Sequence, residues 1–198
     1  MNSFKLAGIA SAALAMAACT TMDDGMGTSS SASASADSVV QVGGADMFAN
    51  RTIVQNAMNS PIHTTLVKAV VAAGLVDTLS GPGPFTVFAP TDDAFAKVPS
   101  ATLNSLMQPD MKPALTKVLT YHVVPGRITA ADIAAKIRAG GGTATYTTVE
   151  GESLTFSMMG SKVMLRGMGG SMAHVTQADV MQSNGVIHVV DGVLLPSM

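Results

Sequence analysis

Cysteine occurs once in 198 residues, at Cys19, and this single thiol excludes both an intramolecular disulfide framework and a cysteine-based structural zinc site. Charge is scarce as well. Asp, Glu, Lys and Arg make up 12% of the chain against about 25% in an average globular protein, while 47% is hydrophobic, which rules out a solvated disordered chain or a charge-laced long helix. The sequence must fold around a packed core. No basic run occurs, and eleven Lys and Arg face thirteen Asp and Glu, so the electrostatic footprint that phosphates require is missing and nucleic acid is not an expected partner. Also absent are a G-x-S-x-G nucleophile elbow and a glycine-rich loop opening a helix, since Gly140, Gly141 and Gly142 follow a helical pattern rather than precede one. A serine hydrolase and a nucleotide-dependent enzyme are excluded on those grounds.

What is present begins with an export signal. Lys5 precedes the uncharged run Leu6 to Ala18, which ends in small residues before Cys19 and is shorter than the ~20 residues of a bilayer-spanning helix. Residues 1–18 therefore read as a signal peptide. Met16-Ala17-Ala18-Cys19 resembles a bacterial lipobox, with Met16 where leucine is commonest; Cys19 would then carry acyl chains. Ala15-Met16-Ala17 fits an ordinary A-x-A cleavage site equally in form and remains the alternative. Thr20 and Thr21 stand where aspartate would favour inner-membrane retention, so the expectation is an outer-membrane lipoprotein facing the periplasm or the exterior, held to the membrane by its lipid.

Residues 19–45 comprise that cysteine and a Ser, Ala, Gly, Thr and Asp tract too poor in large apolar residues to bury a core, with a mean span of about 28 Å as a flexible linker. Asp23, Asp24 and Asp37 have no base among them, whereas residues 46–198 hold ten acids and ten bases. The domain over 46–198 is formally neutral, so recognition should rest on shape and local contacts rather than long-range steering.

Within it, the apolar spacing predicts helices over Thr52–Met58, Thr64–Ala73, Ser100–Met107, Pro113–Tyr121 and Thr129–Ala139, the last opened by Thr129 and Asp132 as a capping box. Phe85–Ala89 reads as a buried strand stopped by Pro90. The second half shifts to period two, with strands expected at Ala144–Val149, Ser153–Met159, Lys162–Arg166, Ala173–Gln177 and Gly185–Asp191. Helices first and strands afterwards predict an α+β fold.

Three segments carry a family resemblance: Phe85 to Phe95 (FTVFAPTDDAF), Tyr121-His122 followed by Val123-Val124-Pro125-Gly126, and Asn184 to Pro196 (NGVIHVVDGVLLP). In order and spacing they resemble the two signature boxes and the tyrosine-histidine motif of the fasciclin domain, and the likeness runs over Met47 to Pro196. It implies several short helices packed on a wedge of two β-sheets. It further implies a cell-envelope adhesion or interaction module that binds a surface protein or glycan and is not an enzyme. In animal relatives an Asp-Ile motif before the second box and the tyrosine-histidine region are implicated in integrin binding. Asp179-Val180-Met181 and Tyr121-His122 correspond here, with Val and Met in place of Ile and Leu, so partner identity does not carry over. The alternative is that Asp179 caps a turn and Tyr121 packs in the core.

The remaining candidates have their own readings. Thr91 is expected to cap a helix with Asp92 and Asp93 in its first turn, where the dipole favours negative charge. Asn184-Gly185 suits a tight turn with positive φ. His122 and His188 read as hydrogen-bonded structure rather than metal ligands, and no cofactor is expected. The competing function is exported copper(I) binding by the methionine-rich stretch 158–181: Met158, Met159, Met164, Met168, Met172 and Met181 lie there with His174, and soft thioethers suit that ion. Against it stands the habit of methionine as a filler of irregular core gaps.

Overall fold

The computed structural model describes residues 39–197. The expected signal peptide, Cys19 and most of the linker lie outside the described residues. The linker reading ends too late, however, because Val39–Val42 (β1) and Ala45–Phe48 (β2) form an antiparallel hairpin whose Val42 and Met47 are buried in the core. Val39, Val40 and Val42 supply a β-branched, partly buried strand that the small-residue composition around them masks.

Seven α-helices follow among the described residues. They are α1 (Ile53–Asn59), α2 (Thr64–Ala73), α3 (Val76–Ser80), α4 (Asp92–Ala96), α5 (Ser100–Leu106), α6 (Lys112–Tyr121) and α7 (Ala130–Ala139). Every helix expected from spacing is present; α3 is too short for its period to show. The strands are β3 (Phe85–Pro90), β4 (Val123–Pro125), β5 (Thr143–Thr147), β6 (Ser153–Met159), β7 (Lys162–Arg166), β8 (Met172–Gln182) and β9 (Gly185–Val190). They make one mixed sheet in the order β4-β3-β9-β8-β7-β6-β5, with β3 and β9 parallel and the other pairs antiparallel.

The wedge arises in β8, which is longer than the expected strand and serves both halves of the sheet. Residues 172–174 pair with β7, whereas residues 175–182 pair with β9 through register shifts at Val175/Gln177 and Gln177/Val180. Such bulges bend a strand and sharpen its twist. The sheet therefore turns, and the Val149 amide donates to the Val123 carbonyl at 2.8 Å, so the far edges nearly meet as in a barrel.

Each half has its own core. Leu66, Val70 and Leu119 from α2 and α6 pack on Val87, Ile187 and Val189 of the β3–β9 half. Ile133 and Ile137 of α7 pack on Leu154, Phe156 and Leu165 of the β5–β8 half, joined by Phe88 and Tyr121. Alternate residues of β3 thus face different cores, as its pleat requires.

Candidate functional site

The polar residues of the motifs converge on helix N-termini, whose first amides lack partners within the helix. Thr91 caps α4 as expected, its Oγ1 accepting from the Ala94 amide at 3.2 Å. Asp92 reaches a different helix. Its carboxylate accepts from the Thr64 amide and hydroxyl at 3.2 and 2.8 Å and from the Thr65 amide at 2.8 Å, at the start of α2, where His63 offers no side-chain cap. Burial alone would raise the Asp92 pKa, but these hydrogen bonds outweigh it and hold the carboxyl below its ordinary value.

Asn184 does the same for α1. Its Oδ1 accepts from the Ile53 amide at 3.0 Å, while its Nδ2 donates to the carbonyls of Leu79 and Gly81 at 2.8 and 3.1 Å. The expected positive φ at Asn184-Gly185 does not occur, since neither residue is among those with positive φ. Glycine is required there for another reason. A Cβ on Gly185 would stand 2.0 Å from the Phe85 carbonyl oxygen, because β3 runs alongside β9 in parallel and the Phe85 amide donates to Asn184.

Asp179 completes the pattern. It is the one non-glycine residue with positive φ, 58°, among those described, and it sits in the β8 bulge with Oδ1 accepting from the Ala130 amide at 2.8 Å. Ala130 opens α7, which also carries the expected Thr129–Asp132 capping box. The Asp179 amide donates to Nδ1 of His188 at 3.3 Å, and Nε2 of His188 donates to the Ile128 carbonyl at 2.9 Å. His188 is fully buried and stacked on Phe88, their ring centroids 5.4 Å apart.

Tyr121 and His122 lie at the end of α6, on the other side of Phe88, whose amide donates to the His122 carbonyl at 2.9 Å. The Tyr121 hydroxyl donates to the Ser153 carbonyl at 3.1 Å and accepts from the Met168 amide at 2.9 Å; its burial pushes the phenol pKa up. His122 donates from Nδ1 to the Val118 carbonyl at 2.8 Å and accepts on Nε2 from the Leu194 amide at 2.9 Å. Burial takes its pKa down to about 4, so it stays neutral, with both ring nitrogens satisfied.

Of the five candidate binding residues, Tyr121, His122 and Val180 are buried, while Asp179 and Met181 are half-buried. The two motifs are joined through Phe88 and His188, but only Asp179 and Met181 are partly exposed. Asp92, Asn184 and Asp179 were each legible as local caps or turns. Their true partners lie 27 to 131 residues away, beyond the reach of local pattern.

The methionines fall into two groups. Met158, Met159, Met168 and Met172 are exposed, and Met164 and Met181 are half-buried, so gap filling is not the role of the first four. Among the described residues, no three His, Cys, Asp or Glu side chains converge as a metal site.

The fasciclin-domain sequence profile matches residues 61–196. The chain belongs to the fasciclin-domain family. Protein sll1483 of Synechocystis sp. is 50% identical over 147 residues, covering 74% of this chain and 74% of that protein. The immunogenic protein MPB70 of Mycobacterium bovis is 31% identical over 98% of this chain and 94% of its own length. The cell surface glycolipoprotein MPB83 of the same species is 34% identical over 75% of this chain and 62% of its own length. Among solved structures, the FAS1 domain pair of the insect cell adhesion molecule fasciclin I matches with a TM-score of 0.66 at 20% identity, covering 73% of this chain and 51% of that one. This fasciclin domain thus has the α+β architecture expected from its sequence, in a family that includes a cell surface glycolipoprotein. No helix among the described residues is long and apolar enough to cross a membrane.

Proposed function

We propose that this chain is an exported cell-envelope interaction module that binds a surface protein or glycan and catalyses nothing. One observation carries the reading. The ring nitrogens of His122 and His188 and the hydroxyl of Tyr121 are all engaged by backbone groups, so the motif residues shape a surface rather than react at it. General acid–base work would need such a group within reach of a substrate proton. Relatives named as a cell surface glycolipoprotein and as a cell adhesion molecule support the same function.

The half-buried Asp179, in the β8 bulge, and Met181, just beyond it, form the proposed contact surface. The test is capture from envelope extracts on the immobilised full chain, identification of the retained molecule, and reconstitution with that molecule purified. Recovery of no protein or glycan, or reconstituted binding unaffected by Asp179→Asn and Met181→Ala together, overturns the assignment of function or of surface respectively.

Cys19 is the proposed membrane anchor, in the outer membrane. Several acyl chains hold a protein firmly where one gives only marginal binding. The wild type should partition with membranes and Cys19→Ala should be released; equal partitioning favours cleavage at Ala15-Met16-Ala17 instead.

A further inference from the structure

The outer face of the β6–β7–β8 sheet places Met164 directly opposite His174 in the antiparallel register, with Ser157 on the other side of Met164. Val163, Leu165 and Ala173 are buried, so the pleat turns Met164, Met172 and His174 to the opposite, outward face. Met172 pairs with Arg166. It therefore stands diagonally from Met164, at about 7–8 Å between backbones, which a long side chain bridges. Met159 pairs with Lys162 and lies on the opposite diagonal, about 17 Å from Met172, too far to share an ion with it. At 58% exposure, Met172 is free of packing that would hold its thioether away.

His174 is already oriented for ligation. Its Nδ1 lies 3.5 Å from Asp191 Oδ2, and its own amide donates to Asp191 Oδ1 at 2.7 Å. Lys97 fixes the Asp191 backbone from the other side, donating to its carbonyl at 2.7 Å. A carboxylate beside one ring nitrogen favours the tautomer protonated there and leaves the other nitrogen as the donor, the arrangement that accompanies metal-bound histidines. Two thioethers and one imidazole form a soft donor set. Such a set selects a soft monovalent ion over zinc, calcium or magnesium, which favour imidazole with thiolate or carboxylate, or oxygen alone.

We propose that Met164, Met172 and His174 form a surface copper(I) site, with Asp191 as the positioning residue. Binding is simple ligation of copper(I), with no change of oxidation state. The site lies on the outer sheet face, separate from the Asp179–Met181 surface, and stands whether or not that surface binds a partner. Met168 lies in the loop between β7 and β8, outside the strands that form the site.

The test is titration of the full chain with copper(I) against a chromophoric copper(I) chelator. The wild type should withdraw one equivalent. Met164→Leu and His174→Gln should each weaken binding by about tenfold or more, as loss of metal-supporting groups does, while Met58→Leu on α1 should not. Failure to withdraw copper, or equal withdrawal by all three variants, overturns the proposal. Methionine-methyl NMR of the wild type with silver(I) gives a readout that needs no variant. Shifts confined to Met164 and Met172 support the site, whereas no shifts, or equal shifts at Met58, overturn it.

Discussion

Asp179 and His188 are coupled across the β8–β9 pair: the amide of one donates to Nδ1 of the other at 3.3 Å, and the same aspartate caps α7 through Ala130. One residue in a left-handed backbone conformation, φ 58°, therefore joins the bulge, the buried histidine and a helix start. A side chain that hydrogen-bonds locally is what makes this conformation tolerable outside glycine.

Removing that side chain should be expensive. Asp179→Ala removes the oxygen that accepts from the Ala130 amide and keeps the left-handed backbone, so a loss of about 1–3 kcal/mol is expected in urea unfolding. Asp179→Asn keeps an oxygen acceptor and tolerates the backbone, and should stay within about 0.5 kcal/mol of the wild type. An alanine variant as stable as the asparagine variant would show that the cap contributes nothing.

The buried histidines fix a pH dependence. Burial lowers His63, His122 and His188 below 6.5, with His122 near 4. Between pH 4 and 6.5 the unfolded chain binds protons that the fold refuses, so stability is complete above about pH 6.5 and falls as pH drops toward 4. His122 alone accounts for about 3 kcal/mol of that fall. Carboxylates held low by their hydrogen bonds, such as Asp92, Asp132 and Glu152, titrate when unfolded near or below 4.5 and act mainly at the lower end. Urea midpoints measured every half unit should decline through this window; a flat profile there would contradict neutral burial of the three rings.

Much of this fold is legible in the sequence because its elements advertise themselves locally. Thr52, Thr91 and Thr129 sit at N-caps and accept from the third residue of their helices, as the spacing requires. The strand run Lys162–Arg166 alternates buried and outward residues, and that alternation already marks Met164 as outward. What stays hidden is long-range. Val123–Pro125 is a three-residue strand defined only by its pairing with β3, and the extension of β8 past Gln177 depends on bulges that break strict alternation. The hairpin at Val39–Phe48 is obscured by the serine-rich tract before it. Nothing local reveals that Asp92 serves α2 or that Asp191 orients His174.

Glycine 185 and asparagine 184 offer a sharp contrast in mechanism. Gly185→Ala drives a methyl to 2.0 Å from the Phe85 carbonyl oxygen and toward Ile53 Cδ1 at 3.0 Å, so β3 and β9 must separate. The expected loss is at least ~2 kcal/mol, as for an overpacked core. Asn184→Ala adds no bulk but strands the Ile53 amide and the carbonyls of Leu79 and Gly81, for an expected loss of about 3 kcal/mol or more. Chemical unfolding distinguishes these from a simple turn, in which either change would be nearly neutral.

Tyr121→Phe separates scaffold from contact. The hydroxyl holds the Ser153 carbonyl and the Met168 amide, and its removal leaves both without that partner in a buried place. Stability should fall by about 1–3 kcal/mol, since an unsatisfied buried group loses its full hydration. Because Tyr121 is 0% exposed, it cannot touch a partner docked on the native surface, and partner affinity measured well below the unfolding temperature should match the wild type within twofold, about 0.4 kcal/mol. A variant that folds with unchanged stability yet loses binding would reverse the assignment and place Tyr121 in the interface, which its present burial forbids unless α6 opens. Hydrogen exchange at Leu119 and Val123 would then have to rise on binding, and this second measurement decides between the two.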